Sequence, residues 1–123
     1  MQTVLIVDDE PSIRLLVNAT IASDQYRVVE AADGDEAWRL LQAHRPAIVL
    51  LDVQMPGRSG LELTRAIKAD PALGRTKVIL LTAKTQEADV RAGAEAGADL
   101  YLTKPFSPLQ LLTVVEEALG LVP

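Results

Sequence analysis

Five times within 123 residues a short apolar run gives way to a helically spaced segment, and this alternation narrows the fold more than any other feature. Thr3 to Val7 reads as strand β1. Pro11 then stands where a first helical residue tolerates a missing N–H, and Ile13, Leu16, Val17, Thr20 and Ile21 recur at the spacing of helix α1. Tyr26 to Ala31 reads as β2. Asp33-Gly-Asp-Glu36 is a capping stretch, and Ala37, Leu40 and Leu41 form the stripe of α2, which ends before Pro46. Ala47 to Leu51 is β3, Leu61 to Ala69 is α3 with Asp70-Pro71 stopping it, and Lys77 to Leu81 is β4. Gln86 to Ala96 is α4 with Gly97 just past its end, Leu100 to Leu102 is β5, and Pro108 to Leu119 is α5. Such a (βα)5 order predicts an α/β domain: a doubly wound parallel five-stranded sheet, covered by helices on both faces through right-handed crossovers.

At 123 residues and 49% hydrophobic the chain fits one domain, 1–123, with 119–123 as the start of a linker or a free tail. Twelve Lys plus Arg against seventeen Asp plus Glu give a net charge of −5. That balance argues against direct binding of nucleic acid and against an anionic membrane surface. The sequence contains no cysteine and no apolar run near the roughly 18 residues of a membrane span, and MQTVLIVDDE enters a strand without a charged leader. The expectation is a cytoplasmic protein.

In such a sheet, ligand chemistry gathers at the carboxyl ends of the strands. Asp8, Asp9 and Glu10 leave β1, Asp52 ends β3, Thr82 follows β4 and Lys104 lies just past β5. Each also has a plainer reading: Asp8 and Asp9 as caps for α1, Thr82 as a cap for α4, Asp52 as a loop cap, Lys104 as a solvated lysine. Together they are harder to dismiss. Crowded carboxylates raise one another's pKa unless a cation neutralises them, and a few hard oxygen ligands suit Mg²⁺, with Mn²⁺ as the alternative. Lys104-Pro105 can form a rigid cis turn that aims the lysine. A carboxylate, a divalent metal, a hydroxyl and an ammonium around one point are what an aspartyl-phosphate intermediate requires.

Asp8-Asp9 after β1, Asp52-Val-Gln-Met-Pro-Gly57 after β3, Leu81-Thr82-Ala83 after β4 and Gly97-Ala-Asp-Leu-Tyr-Leu-Thr-Lys104-Pro105-Phe106 occur in that order. The chain thereby resembles, over its whole length, a response-regulator receiver domain of two-component signalling, of the chemotaxis-regulator type. The resemblance implies a flavodoxin-like receiver fold with sheet order 2-1-3-4-5. It implies Asp52 as phosphoacceptor, a histidine kinase or phosphotransfer protein as donor, and Thr82 and Lys104 as partners of the phosphoryl group. Asp9, Asp52 and the backbone carbonyl of Gln54 would ligate Mg²⁺, with Asp8 acting through water. Thr82 and Tyr101 would form the switch, remodelling the α4-β5-α5 face toward a protein partner or a second copy, and Gln54 and Lys84 would tune phosphoryl lifetime. Tyr101 as an ordinary strand-edge tyrosine is the plainer alternative.

The sequence departs from the winged-helix transcription-factor class of the family at the output face, because no Lys or Arg follows Lys104. On a helical wheel Leu111, Leu112, Val115 and Leu119 cluster as the core stripe of α5, with Val114 at its border and Leu109 opposite. Leu109 then reads either as a scattered surface residue or as an apolar partner contact. His44 reads as a helix-end residue with no catalytic part, and Trp38 as remote from Asp52. The chain is expected to be a signalling module rather than an enzyme. The alternative, a small phosphatase working through an aspartyl intermediate, lacks residues for a substrate cap. A flavodoxin-like nucleotide binder would want glycines where the β1 loop is acidic.

Overall fold

The computed structural model describes residues 1–55, 57–83 and 87–120, without the side chains of Glu87 and Asp89. The strands are β1 (Gln2–Val7), β2 (Tyr26–Ala31), β3 (Ile48–Asp52), β4 (Lys77–Ala83) and β5 (Leu100–Lys104). The helices are α1 (Pro11–Ile21), α2 (Gly34–His44), α3 (Gly60–Ala69), α4 (Glu87–Ala96) and α5 (Pro108–Ala118). All pairings are parallel, in the order 2-1-3-4-5, as the family resemblance implies.

Strand alternation divides the core into two layers. Val4, Ile6, Ile48, Leu50, Ile79 and Leu81 face Val17, Ile21, Leu111 and Val115 of α1 and α5. Leu5, Val7, Val49, Leu51, Val78 and Leu80 face Ala37, Leu41, Leu63 and Ile67 of α2 and α3. Every residue of β3 is buried, Asp52 included. Each enclosed Leu or Ile contributes roughly 1.5–3 kcal/mol, and this apolar frame holds a carboxylate at the end of the central strand. Among the described residues, no helix is long and apolar enough to cross a membrane.

Local chemistry explains the helix boundaries. The Asp33 carboxylate accepts the Glu36 N–H at 2.8 Å while Glu36 Oε1 accepts the Ala32 N–H at 2.8 Å, closing the start of α2. Ser107 and Gln110 form a reciprocal capping box on α5. Gly97 takes φ +101° after α4, as its place past the helix end predicts. Gly60 opens α3 against the site, since a Cβ there would run into the Asp52 carbonyl and lie 2.9 Å from Val53 Cα.

The structure corrects several expectations. Glu10 is the N-cap of α1 and makes no side-chain capping bond, so Asp8 and Asp9 do not cap that helix. A 3-10 turn spans Pro71–Leu73, nucleated by Asp70 accepting the Ala72 N–H at 2.9 Å. β4 and β5 run on to Ala83 and Lys104, because their backbones stay in register after the apolar side chains end. Thr82 and Lys104 are therefore strand residues. On α5 the buried stripe is Leu111, Val114, Val115 and Ala118, whereas Leu112 is 37% exposed. That spacing of three, one and three residues turns the stripe away from Leu112 and toward Val114. Lys84 and Gln86, and 121–123 of the expected tail, lie outside the described residues.

Candidate phosphoacceptor and metal site

Parallel register brings the carboxyl ends of β1, β3, β4 and β5 to one edge. Val7 pairs with Leu51, Asp52 with Leu81 and Ala83 with Lys104, so the residues that leave these strands converge. Asp8, Asp9 and Asp52 each present an oxygen within 4.8 Å of the others. Asp8 is wholly buried, Asp52 is 7% exposed and Asp9 is open to solvent.

Lys104 joins the acids. Its Nζ lies 2.7 Å from Asp8 Oδ2, 3.3 Å from Asp52 Oδ2 and 3.7 Å from Glu10 Oε1. The Lys104-Pro105 peptide is cis. Burial and the neighbouring Asp8 charge push the Asp52 carboxyl up to about 6, against the opposing pull of Lys104 and the Gln54 N–H. Burial works against the Lys104 ammonium, but its contact with Asp8 and the Asp52 and Asp8 charges outweigh that penalty and raise its pKa. Three acids thus share one cation.

Two observations fit a divalent cation here. Asp8 Oδ2 is buried and, apart from its ion pair with Lys104 Nζ at 2.7 Å, has no hydrogen-bond partner among the described residues. The available donors are carboxylate oxygens, the hard ligands that Mg²⁺ prefers. The Asp8 and Asp52 carboxylates are also held from within the chain: Asp8 Oδ1 accepts the Glu10 N–H at 2.9 Å and Asp52 Oδ1 accepts the Gln54 N–H at 3.3 Å.

Thr82 is buried beside Leu81, the register partner of Asp52. Tyr101 is half-buried on β5; its hydroxyl donates to the Val90 carbonyl at 3.0 Å, and its ring lies over Gly93 of α4. The two expected switch residues lie on neighbouring strands two register positions apart, Tyr101 opposite Leu80 and Thr82 opposite Thr103. Leu109 is 73% exposed and lines a groove of about 340 Å³ with Leu100, Tyr101, Thr113, Val114 and Glu117.

The structure ties Trp38 to the loop that leaves Asp52: the Arg58 guanidinium sits 5.4 Å from the indole centroid, and its Nε lies 3.9 Å from Asp35 Oδ1. His44 pairs instead with Arg27 near the amino end of β2, opposite the acidic edge. Sequence reading passed over Arg14 and Glu30. Arg14 Nη1 donates to the Asp8 carbonyl at 2.7 Å and Nε to Glu30 Oε1 at 3.3 Å. A basic residue one turn into the helix after the acidic run, with a carboxylate late in β2, is the signal that would have found them.

The family model for the response regulator receiver domain matches residues 4–116. The phosphate regulon transcriptional regulatory protein PhoB of Pseudomonas aeruginosa is 39% identical over 118 residues, covering 96% of this chain and 52% of that protein. The chain spans about half the length of the curated relatives it matches. The chemotaxis response regulator CheY4 of Vibrio cholerae is similar with a TM-score of 0.89 and 36% identity, over 96% of this chain and 98% of that one. So is the receiver domain of a sensor histidine kinase from Pseudomonas aeruginosa, solved with a magnesium ion coordinated in its active-site cleft. There the TM-score is 0.86 at 33% identity, over 97% of this chain and 98% of that one. With motifs, topology and acidic edge all in agreement, this chain belongs to the response regulator receiver domain family of two-component signalling.

Proposed function

We propose that this chain is a phosphorylation-activated signalling module that accepts a phosphoryl group on Asp52 from a histidine kinase or phosphotransfer protein. The observation that carries the reading is the Asp52 carboxylate on a buried central strand, 3.3 Å from the Lys104 ammonium and within 4.8 Å of two further carboxylates. In the transfer, an Asp52 oxygen forms the new O–P bond as the donor's N–P bond breaks, and the bonding electrons return to the donor histidine nitrogen. Lys104 offsets charge on the phosphoryl oxygens, and the Thr82 hydroxyl donates to one of them. Asp9, Asp52 and the Gln54 carbonyl would hold Mg²⁺, or Mn²⁺ in its place, with Asp8 acting through water. When bound, the ion supplies the charge neutralisation that lets a carboxylate meet a phosphoryl dianion.

Movement of Thr82 toward the phosphoryl group vacates space that Tyr101 fills, and the α4-β5-α5 face changes toward its partner. That partner is a protein or a second copy rather than nucleic acid or a membrane, in keeping with the acidic balance and with a cytoplasmic setting. Gln54 and Lys84, the latter outside the described residues, tune the phosphoryl lifetime. The chain promotes its own phosphorylation and dephosphorylation and turns over no separate substrate.

Intact mass after incubation with acetyl phosphate and Mg²⁺ tests this reading. The expected result is one phosphoryl adduct, stable in acid and labile in base, absent from Asp52→Ala and absent with chelator. A folded protein that takes up no adduct refutes it.

A further inference from the structure

Asp9 is the exposed member of the acidic cluster, and among the described residues its carboxylate makes no hydrogen bond. Its placement therefore depends on its backbone, which is held from both sides. The carbonyl of the preceding peptide, that of Asp8, accepts Arg14 Nη1 at 2.7 Å. The N–H that follows, that of Glu10, is donated to Asp8 Oδ1 at 2.9 Å. The Asp8 N–H is itself anchored on the Ala31 carbonyl at 3.1 Å.

Arg14 is well placed to be the outer clamp. It lies in the opening turns of α1, where a cation gains nothing from the helix dipole. Its side chain is nevertheless only 19% exposed and is fixed through Nε to Glu30 on β2. Asn18 Nδ2 donates to the other Glu30 oxygen at 3.2 Å, so the carboxylate is gripped by two residues of α1. A guanidinium can bridge Glu30 and the Asp8 carbonyl at once because its donors diverge in a rigid plane.

We infer that Arg14, braced by Glu30, is a positioning residue for Asp9 and thereby sets the affinity of the acidic site for a divalent cation. The inference rests on the proposed reading of Asp9 as a metal ligand. Partners in a metal site's outer layer are worth about 10–100-fold in affinity where they orient a ligand, and about tenfold is expected here. A purely electrostatic role predicts the opposite sign, since deleting a cation beside an acidic cluster strengthens cation binding.

The test is calorimetric titration of the metal-free protein with Mg²⁺ for wild type, Arg14→Ala, Arg14→Lys and Glu30→Gln, with circular dichroism confirming the fold of each. Wild type should bind, Arg14→Ala about tenfold more weakly, Arg14→Lys also more weakly because its charge stays but its fork is lost, and Glu30→Gln at an intermediate level. Acetyl phosphate labelling at saturating Mg²⁺ should return toward the wild-type rate in all three variants, which separates metal capture from chemistry. Should Arg14→Ala not fold, Arg14→Lys and Glu30→Gln decide the matter. Variants that are folded and bind Mg²⁺ as tightly as wild type, or more tightly, overturn the inference while leaving the proposed function intact. A wild-type protein that binds no Mg²⁺ overturns both.

Discussion

Lys104 Nζ stands closer to Asp8, at 2.7 Å, than to Asp52, at 3.3 Å, so the ammonium chiefly balances the fully buried acid and Asp52 is left under-neutralised. This unequal sharing shapes how the domain responds to pH, to metal and to substitution.

Asp52 should make the metal-free protein less stable as pH rises. Its carboxyl is pushed from 3.8 up to about 6, so its contribution to stability is fully present below 3.8 and is lost between 3.8 and about 6 as the group ionises. A shift of that size corresponds to at most about 3 kcal/mol. Solvent screening on the open side of the cluster, where Asp9 is exposed, reduces the expected effect to about 1–2 kcal/mol. Asp52→Asn should therefore be more stable than wild type by that amount at pH 7 and match it near pH 4, by denaturant titration in chelator. A gain that persists unchanged at pH 4 contradicts this account.

Removing the shared cation should expose the cost of the buried acid. Lys104→Ala leaves Asp8 without a counter-charge, and partial exposure of the lysine keeps the loss to about 2 kcal/mol rather than the larger values of fully buried pairs. Added Mg²⁺ should raise the melting temperature of Lys104→Ala more than that of wild type, because the ion substitutes for the missing charge. Equal shifts in scanning calorimetry count against it.

Gly93 makes the seat for Tyr101. A Cβ at this point of α4 would collide with Leu80 Cδ1 and lie 3.1 Å from Tyr101 Cε1. Gly93→Ala gains about 1 kcal/mol of helix propensity, yet the overpacking should leave it about 1 kcal/mol less stable than wild type. Leu80→Ala in the same chain should return part of the loss in a double-mutant cycle. A Gly93→Ala protein that is more stable than wild type shows that the ring gives way freely.

On α5 the stability and docking faces separate. Val114 is 7% exposed and Leu109 73%. Val114→Ala should cost about 2 kcal/mol in chemical denaturation, and Leu109→Ala less than about 0.5 kcal/mol. If the groove beside Tyr101 receives a partner, Leu109→Ala should weaken that binding while leaving Asp52 phosphorylation unchanged. Parallel loss of both sends the partner elsewhere.

The order of elements was readable from the chain because burial imposes a period: β1, β3 and β4 are apolar runs, and the Asp33 stretch marks the start of α2, whereas the capping serines of α3 and α5, Ser59 and Ser107, emerged only with the structure. The positions of Asp8, Asp9, Asp52 and Lys104 followed from that order, since parallel strands deliver their carboxyl ends to one edge whatever the side chains between them. The ends of β4 and β5 were not readable, because backbone pairing with a neighbour carries no side-chain period. The stripe on α5 shifted from Leu112 to Val114 for a related reason. A helix with apolar residues at Leu109, Leu111, Leu112, Val114 and Val115 presents several usable faces, and only packing against β4, β5 and α1 selects one.

Sequence alone thus determined the (βα)5 order, the single acidic edge and which carboxylate ends the central strand. Tertiary structure decided how that edge is balanced: that Lys104 leans on Asp8 more than on Asp52, that Arg14 reaches back to the Asp8 carbonyl, and that Tyr101 rests on Gly93. The division is physical. Periodicity and strand order are summed over many residues and survive in one dimension. A charge balance is set by differences of less than an ångström between side chains that lie far apart in the chain.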